Sequence, residues 1–376
     1  MFTSNKMIII LLVALLTSFE ALAEKDIPAV TLGKAYSLQS KVLNKEIPLS
    51  IHLPENYGSS KKSYPVLYMM GSDYRTRFAM LASTLDYMAD KLIPAMILIG
   101  VDLPEGNRIL LPTIENQDTK IPDGYINFFE TELMPYVENK YRTAPFKVLF
   151  GASNSGFFSI YTQLKKPNLF NGYLASSPSF HRQIPTMLQQ KVKTSQLKTL
   201  SENRFLHVLY SDDDFDEITK FIPEFSRTLT DHKPESLTYK VEKLANQGHV
   251  PVMDMIKFLQ ELFPDYNPYE ELGTLDKVRQ HFDMLSKRYE YVVHPPISMI
   301  FDIGADMIRN KNLNDAEKVF HYSLQVHPDE KQSYVGMGVV RRDQGNIEKA
   351  KLMFEKALTI APDYSLAKRL LQRLEK

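Results

Sequence analysis

The sequence predicts an α/β protein with a mainly parallel central sheet covered on both faces, followed by an all-α domain. Three observations lead there. Strand-like runs alternate with helical segments as far as about residue 265, the pattern of a sheet layered between helices. Residues 65–70 (PVLYMM) and 94–101 (PAMILIGV) are short, continuous apolar runs, as strands buried on both faces require. Beyond about residue 270 the chain reads as wholly helical and repeats with a period of 34.

The elements follow in order. Residues 46–53 (EIPLSIHL) alternate and open the sheet, and the runs 65–70 and 94–101 are its buried centre. Residues 123–141 form a helix, because Ile126, Phe129, Leu133, Tyr136 and Val137 share one face. Residues 146–150 (FKVLF) are a strand, 157–164 a helix, 173–176 a strand and 205–210 (FLHVLY) a strand. Residues 237–244 (LTYKVEKL) alternate again, and 251–263 close this part with a helix.

The first residues stand outside the fold. Lys6, the apolar run 7–16 and Ala21-Leu22-Ala23 have the order of a secretory signal peptide cleaved after Ala23. The apolar run is too short for a membrane span, and no span is expected in the mature chain. The chain has no cysteine, which excludes disulfides, thiolate metal sites and a cysteine nucleophile. Export without disulfides fits a periplasm of the Gram-negative type. Lys+Arg and Asp+Glu balance at 45 each, so nothing points to nucleic acid or an acidic lipid surface.

In the helical segment Gly304 matches Gly338, Ala316 matches Ala350, Phe320 matches Phe354 and Pro328 matches Pro362. Small residues at such places let paired helices approach, and each proline ends a second helix. The stretch 343–363 (DQGNIEKAKLMFEKALTIAPD) resembles the tetratricopeptide repeat. Two repeats, at about 297–330 and 331–364, with a polar capping helix at 365–376, make a small module. Its faces serve either packing and self-association or the binding of a protein partner.

Ser153 is the first chemical candidate. It lies in GASNSG (151–156), after a buried strand and before a helix. A tight strand-to-helix turn exposes a serine hydroxyl and aims the helix N-terminus at it. The usual pattern is G-x-S-x-G, and here Ser155 takes the last glycine's place, with Gly156 following. His249 is the second candidate. It lies in a Gly-containing turn (NQGHV) between the last alternating strand and the closing helix, where a general base enters last in the order Ser, Asp, His. The acid comes from SDDDFDE (211–217), where Asp212, Asp213, Asp214, Asp216 and Glu217 compete. The spacing Ser211-x-x-Asp214 resembles the G-x-x-D turn common in hydrolases of this sheet type, and that resemblance favours Asp214, with Asp213 second. An oxyanion site needs two backbone donors. Asn154 would supply one, and the loop at Gly71 and Ser72, with Ser72 preferred, the other.

Residues 30–265 resemble the esterase family of α/β-hydrolases that includes esterase D, the enterochelin (siderophore) esterases and feruloyl-esterase modules. The resemblance is carried by YPVLYMMGSDY (64–74), IGVDLPEGNRILLPT (99–113), FFETELMPYVENKYRTAPFKVLFGASNSGFFSIYTQLKKPNLFNGYLASSPSF (128–180) and NQGHVPVMDMIKFLQELF (246–263). It implies the α/β-hydrolase fold and hydrolysis of a small-molecule carboxylic ester through an acyl-serine, without cofactor or metal. It also implies Ser153 as nucleophile, His249 as base and an acid within 212–216. By the same resemblance Phe180 and His181 line the substrate pocket and Arg108 stands near its entrance. Siderophore-type lactones and phenolic or short acyl esters are the substrates it suggests. The chain departs from the family where H-S-x-G-G becomes A-S-N-S-G and where Asp-Gly becomes Gly71-Ser72, both at oxyanion-binding positions. The expected division is then a signal peptide at 1–23, an α/β-hydrolase domain at 24–268 and a tetratricopeptide-repeat domain at 269–376. An acyltransferase on the same fold and an inactive scaffold are the alternative readings.

Overall fold

The computed structural model describes residues 31–374 except 56, 59, 73–74, 113–117, 181–183, 195–196, 198–199, 201–202 and 269–271. The expected signal peptide and its cleavage point lie outside the described residues. Eight strands form one sheet: β1 (Lys34–Ser40), β2 (Lys45–His52), β3 (Tyr64–Met70), β4 (Ile97–Val101), β5 (Thr143–Ala152), β6 (Gly172–Ser176), β7 (Arg204–Ser211) and β8 (Leu237–Leu244). Their order is β1-β2-β4-β3-β5-β6-β7-β8. β2 is antiparallel to β1 and β4, and every other neighbouring pair is parallel. This is the α/β-hydrolase arrangement.

The central strands β3, β4 and β6 are buried along their whole length, as continuous apolar runs demand. Helices cover both faces: α1 (Arg75–Met88), α2 (Lys120–Phe128), α3 (Met134–Lys140), α4 (Asn154–Lys165), α5 (Ile184–Thr194), α6 (Asp216–His232) and α7 (Asp254–Leu262). A π turn, Phe129–Leu133, joins α2 to α3. Pro135 has no N–H to donate back along the helix, so an unbroken α ladder cannot run through this point. Residues 155–164 of α4 are all buried, which makes α4 an interior helix.

The structure adjusts the expected elements at several ends. The strand expected at 94–101 begins only at Ile97, because Pro94 cannot donate to a ladder. The helix expected at 157–164 begins at Asn154, directly after Ser153. β1, α1, α5 and α6 have no counterpart among the expected elements. β1 is an edge strand with one buried residue in seven, so its sequence carries little apolar alternation.

The C-terminal residues form α8 (Leu275–Tyr289), α9 (Ile297–Arg309), α10 (Leu313–Val326), α11 (Lys331–Asp343), α12 (Ile347–Ile360) and α13 (Ser365–Leu374). A Cβ on Gly304 would come 2.5 Å from the Phe320 ring, and one on Gly338 2.5 Å from the Phe354 ring. Each helix pair therefore closes by setting a phenylalanine against a glycine. α10 and α12 both end two residues before a proline, Pro328 and Pro362. The Tyr289 ring packs on Phe146, Phe205 and Phe263, and its hydroxyl donates to the Leu262 carbonyl at 3.0 Å. Phe146 and Phe205 lie near the amino ends of β5 and β7, so α8 docks on the edge of the sheet opposite the carboxyl ends of the strands.

His207 on β7 is 4% exposed, with its ring against Phe258 and neither ring nitrogen hydrogen-bonded. Burial, helped by Lys240 and opposed by Glu242, pushes it down to about 4. The unfolded chain takes up this proton near pH 6.5 and the folded chain only near 4, so stability is full above the first value and falls as pH drops towards the second. The loss is expected to reach roughly 3 kcal/mol. In His207→Leu the urea midpoint should fall less between pH 7 and pH 4.5 than in the parent protein. An equal fall in both would contradict this origin.

Candidate active site

β5 delivers Ser153 and α4 starts one residue later. Ser153 holds φ 56 and ψ −121, a left-handed conformation that a non-glycine residue keeps only where its surroundings enforce it. Its amide donates to the Ser176 carbonyl at 2.9 Å, and its carbonyl accepts from Ser179 and Phe157, each at 3.1 Å. A Cβ on Gly151 would fall inside the Ser155 carbonyl group, and one on Gly156 would sit 2.9 Å from the Ser176 oxygen. Gly156 thus supplies the close approach to β6, which leaves the preceding position free to be Ser155.

His249 sits on the loop after β8. Gly248 and Val250 on either side have φ 67 and 58, and this sharp path turns the imidazole back over the sheet. His249 Nε2 lies 3.0 Å from Ser153 Oγ, and Nδ1 lies 2.7 Å from Asp214 Oδ1. Asp214 follows β7 and its side chain is fully buried. It also accepts from Ser177 Oγ at 2.5 Å and from the Phe215 amide at 2.8 Å. Burial raises its carboxyl, but the hydrogen bonds from His249, Ser177 and Phe215 outweigh that and hold it below the usual carboxylate range.

The other acids of the loop turn elsewhere. Asp213 accepts from Ser211 Oγ and, at 2.8 Å, from the Gly248 amide. Asp212 accepts from the Asn246 amide at 2.8 Å, and Asp216 pairs with Lys220 at 2.8 Å. Asp213 and Asp212 therefore shape the histidine loop, while Asp214 reaches the ring itself.

Asn154 heads α4, where backbone N–H groups have no intrahelical acceptor. Its side chain donates to Asn107 Oδ1 at 3.1 Å and accepts from Ser179 Oγ at 2.6 Å. The second expected donor is corrected by the structure. The amides of Gly71 and Ser72 both go to the Val101 carbonyl, at 2.9 and 3.2 Å, because β3 extends its pairing with β4 past Met70. Ser72 is fully buried and its hydroxyl donates to Asp102, so it does not face the cleft. Phe180 is also corrected. It is fully buried against Phe225 on α6, where an aromatic ring gains more from core packing than from the mouth of a site. Arg108 is exposed in a 3-10 turn (Asn107–Leu110) and does not line the cleft, whereas its neighbour Asn107 does. His181 lies outside the described residues.

The cleft over Ser153 has a volume of about 440 Å³, within the usual range for a small-molecule site. Its walls include residues that no sequence motif marks: Thr76, Arg77 and Met80 on α1, and Val250 and Val252 on the histidine loop. The apolar spacing Phe78, Leu81, Leu85, Met88 was a signal for α1. Arg77 pairs with Asp254, the fully buried first residue of α7. Burial raises the Asp254 carboxyl above its usual range and Arg77 opposes the rise.

A family profile described as Putative esterase matches residues 40–220. The Bacillus subtilis protein YjcH is 26% identical over 159 residues, which is 40% of this chain and 63% of that protein. The chain thus spans less than two thirds of that relative's length. The ferri-bacillibactin esterase BesA of Bacillus subtilis is 23% identical over 224 residues, 51% of this chain and 76% of BesA. An IroE-like serine hydrolase from Shewanella oneidensis has a similar fold, with TM-score 0.62 and 20% identity over 82% of this chain and 99% of that one. Over the matched residues the chain is similar to this esterase family, and its fold is that of the serine hydrolase from Shewanella oneidensis.

Proposed function

We propose that the chain is an exported serine hydrolase of carboxylic esters. The observation that carries this reading is the unbroken line Asp214–His249–Ser153 at the N-terminus of a buried helix. His249 Nε2 takes the Ser153 proton as Oγ attacks the ester carbonyl carbon. The Asn154 amide and the head of α4 stabilise the oxyanion of the tetrahedral intermediate. The intermediate collapses, the alcohol leaves with the proton from His249, and an acyl-serine remains. Water, deprotonated by His249, then releases the acid. Asp214, ionised, keeps a proton on Nδ1 and faces the imidazolium that forms.

Export rests on the pattern at 6–23, and a periplasmic place is consistent with that pattern and with a chain that has no cysteine. Residues 24–268 serve as the catalytic domain and 269–376 as a tetratricopeptide-repeat domain for partner binding or self-association. The similarity to BesA, a ferri-bacillibactin esterase, supports an ester of that kind among the substrates, beside siderophore-type lactones and phenolic or short acyl esters. The test is a fluorophosphonate probe on the folded protein, read by peptide mass spectrometry. Labelling at Ser153 is expected, and an unlabelled Ser153 peptide would overturn the mechanism.

Ser177 ties the acid to the histidine loop, because its hydroxyl donates to Asp214 and accepts from the Val250 amide at 2.9 Å. Ser177→Ala is expected to lower kcat by about 10- to 100-fold, the worth of a hydrogen bond to a charged group. Without this donor the Asp214 carboxyl rises, so activity is lost at a higher pH on acidification than in the parent enzyme. The kcat–pH profiles of the two proteins check both parts, and superimposable acid limbs would refute the second.

A further inference from the structure

Large apolar side chains stand exposed around the mouth of the cleft: Met80 is 37% exposed, Phe215 58% and Val252 62%. The Phe215 ring centre lies 4.7 Å from that of His249, so this apolar surface begins at the reacting groups. Inward it continues through Val250 to Met69 and Met70, which close the floor beside Ser153. An apolar patch continuous with a reacting centre costs free energy in water and repays it only when something apolar covers it.

The charge on the walls points the same way. Among the described residues that line the cleft, Arg77 is the one side chain with a fixed charge. Its guanidinium is matched by the buried Asp254 carboxyl, so the pair brings little net field to a ligand. A polyanion would meet no surplus of positive charge on these walls, whereas a hydrocarbon chain would meet three methionines and two valines. Methionine side chains are unbranched and adaptable, which suits chains of differing length.

We propose that this cleft takes esters carrying an apolar chain of several carbons. The chain lies along Met69, Met70 and Met80 under the Phe215–Val252 rim while the ester carbonyl sits at Ser153 Oγ. This rests on the serine-esterase reading and names its substrate class. It places apolar esters ahead of highly charged siderophore complexes.

The experiment measures kcat/KM along p-nitrophenyl acyl esters from acetyl to decanoyl, and along alkyl acetates of increasing chain length. In one of the two series kcat/KM should rise about fourfold per methylene over the first several, the worth of a buried CH₂. In the double variant Met80→Ser, Val252→Ser the increment should fall below about twofold per methylene. Flat or falling values in both series, with turnover that depends on Ser153, would overturn the proposal. So would a higher kcat/KM for a tris-catecholate lactone complexed with iron. Binding is read separately in the Ser153→Ala protein, with carbon-13 labelled methionine methyls and ethyl octanoate as ligand. Saturable shifts at Met69, Met70 and Met80 are expected, and their absence overturns the proposal. If those shifts appear and no ester is turned over, the binding proposal stands and the catalytic reading fails.

Discussion

Replacing Ser153 by alanine is expected to lower kcat for p-nitrophenyl acetate by about 10⁴- to 10⁶-fold, as loss of a nucleophile does in serine hydrolases. Ser153 Oγ is the hydroxyl that His249 Nε2 reaches, at 3.0 Å. Ser155, two residues on, is only 1% exposed, so its hydroxyl is in no position to substitute. The residual rate would come from the Asn154 amide and from binding. The fold should survive, because alanine meets the same backbone constraint at φ 56 that serine does. Removal of one hydroxyl and its single hydrogen bond should change the unfolding free energy by less than about 1.5 kcal/mol. Activity assays and urea unfolding on the same preparation check both halves. Turnover equal to that of the parent protein would refute the mechanism, and loss of the fold would refute the claim that the residue acts only in catalysis.

Gly151→Ala should do the opposite, damaging the fold first and the chemistry through it. The added Cβ would fall inside the Ser155 carbonyl and sit 2.9 Å from the Gly156 nitrogen. These neighbours are backbone atoms, so no flexible side chain can move aside. They are also held in place, since the Ser153 and Ser179 amides tie the turn to the end of β6. Either β5 or the first turn of α4 must shift, at an expected cost of about 3–5 kcal/mol. Fluorophosphonate labelling of Ser153 should fall with it. Gly58→Ala is the control, because a Cβ there meets nothing within 4 Å. Its unfolding free energy should stay within about 0.5 kcal/mol of the parent's. A Gly151→Ala protein as stable and as reactive as that control would show that the turn is not locked.

The alternation of strands and helices, the buried runs at 65–70 and 94–101 and the repeat after 270 were legible because burial on two faces and helix pairing leave direct marks on composition. The edge strand β1 left almost none, because most of it faces water. The line of Ser153, Asp214 and His249 was partly legible. The serine and the histidine each sit in a turn whose small residues announce it, but five neighbouring acids look alike in sequence. Their roles separate only where β7 and β8 lie side by side. There Asp213 meets the Gly248 amide, Asp212 meets the Asn246 amide, and Asp214 is left to reach the imidazole.

Two expectations failed for the same kind of reason. Ser72 follows β3 as an oxyanion donor would, yet its amide goes to the end of β4, because bonding to Val101 runs two residues past the apolar run. Phe180 follows the Ser177-Pro178-Ser179 turn into the core, where Phe225 receives it. Neither partner is near in sequence, so no local pattern could name it. The sequence by itself determined the layered sheet, the strand–serine–helix turn and the repeated helix pairs, because each follows from short-range periodicity and from the space small residues leave. Only the tertiary structure decided which acid faces His249, which amides after β3 are taken up by β4 and which side chains wall the cleft. Those depend on contacts between strands and helices far apart in the chain.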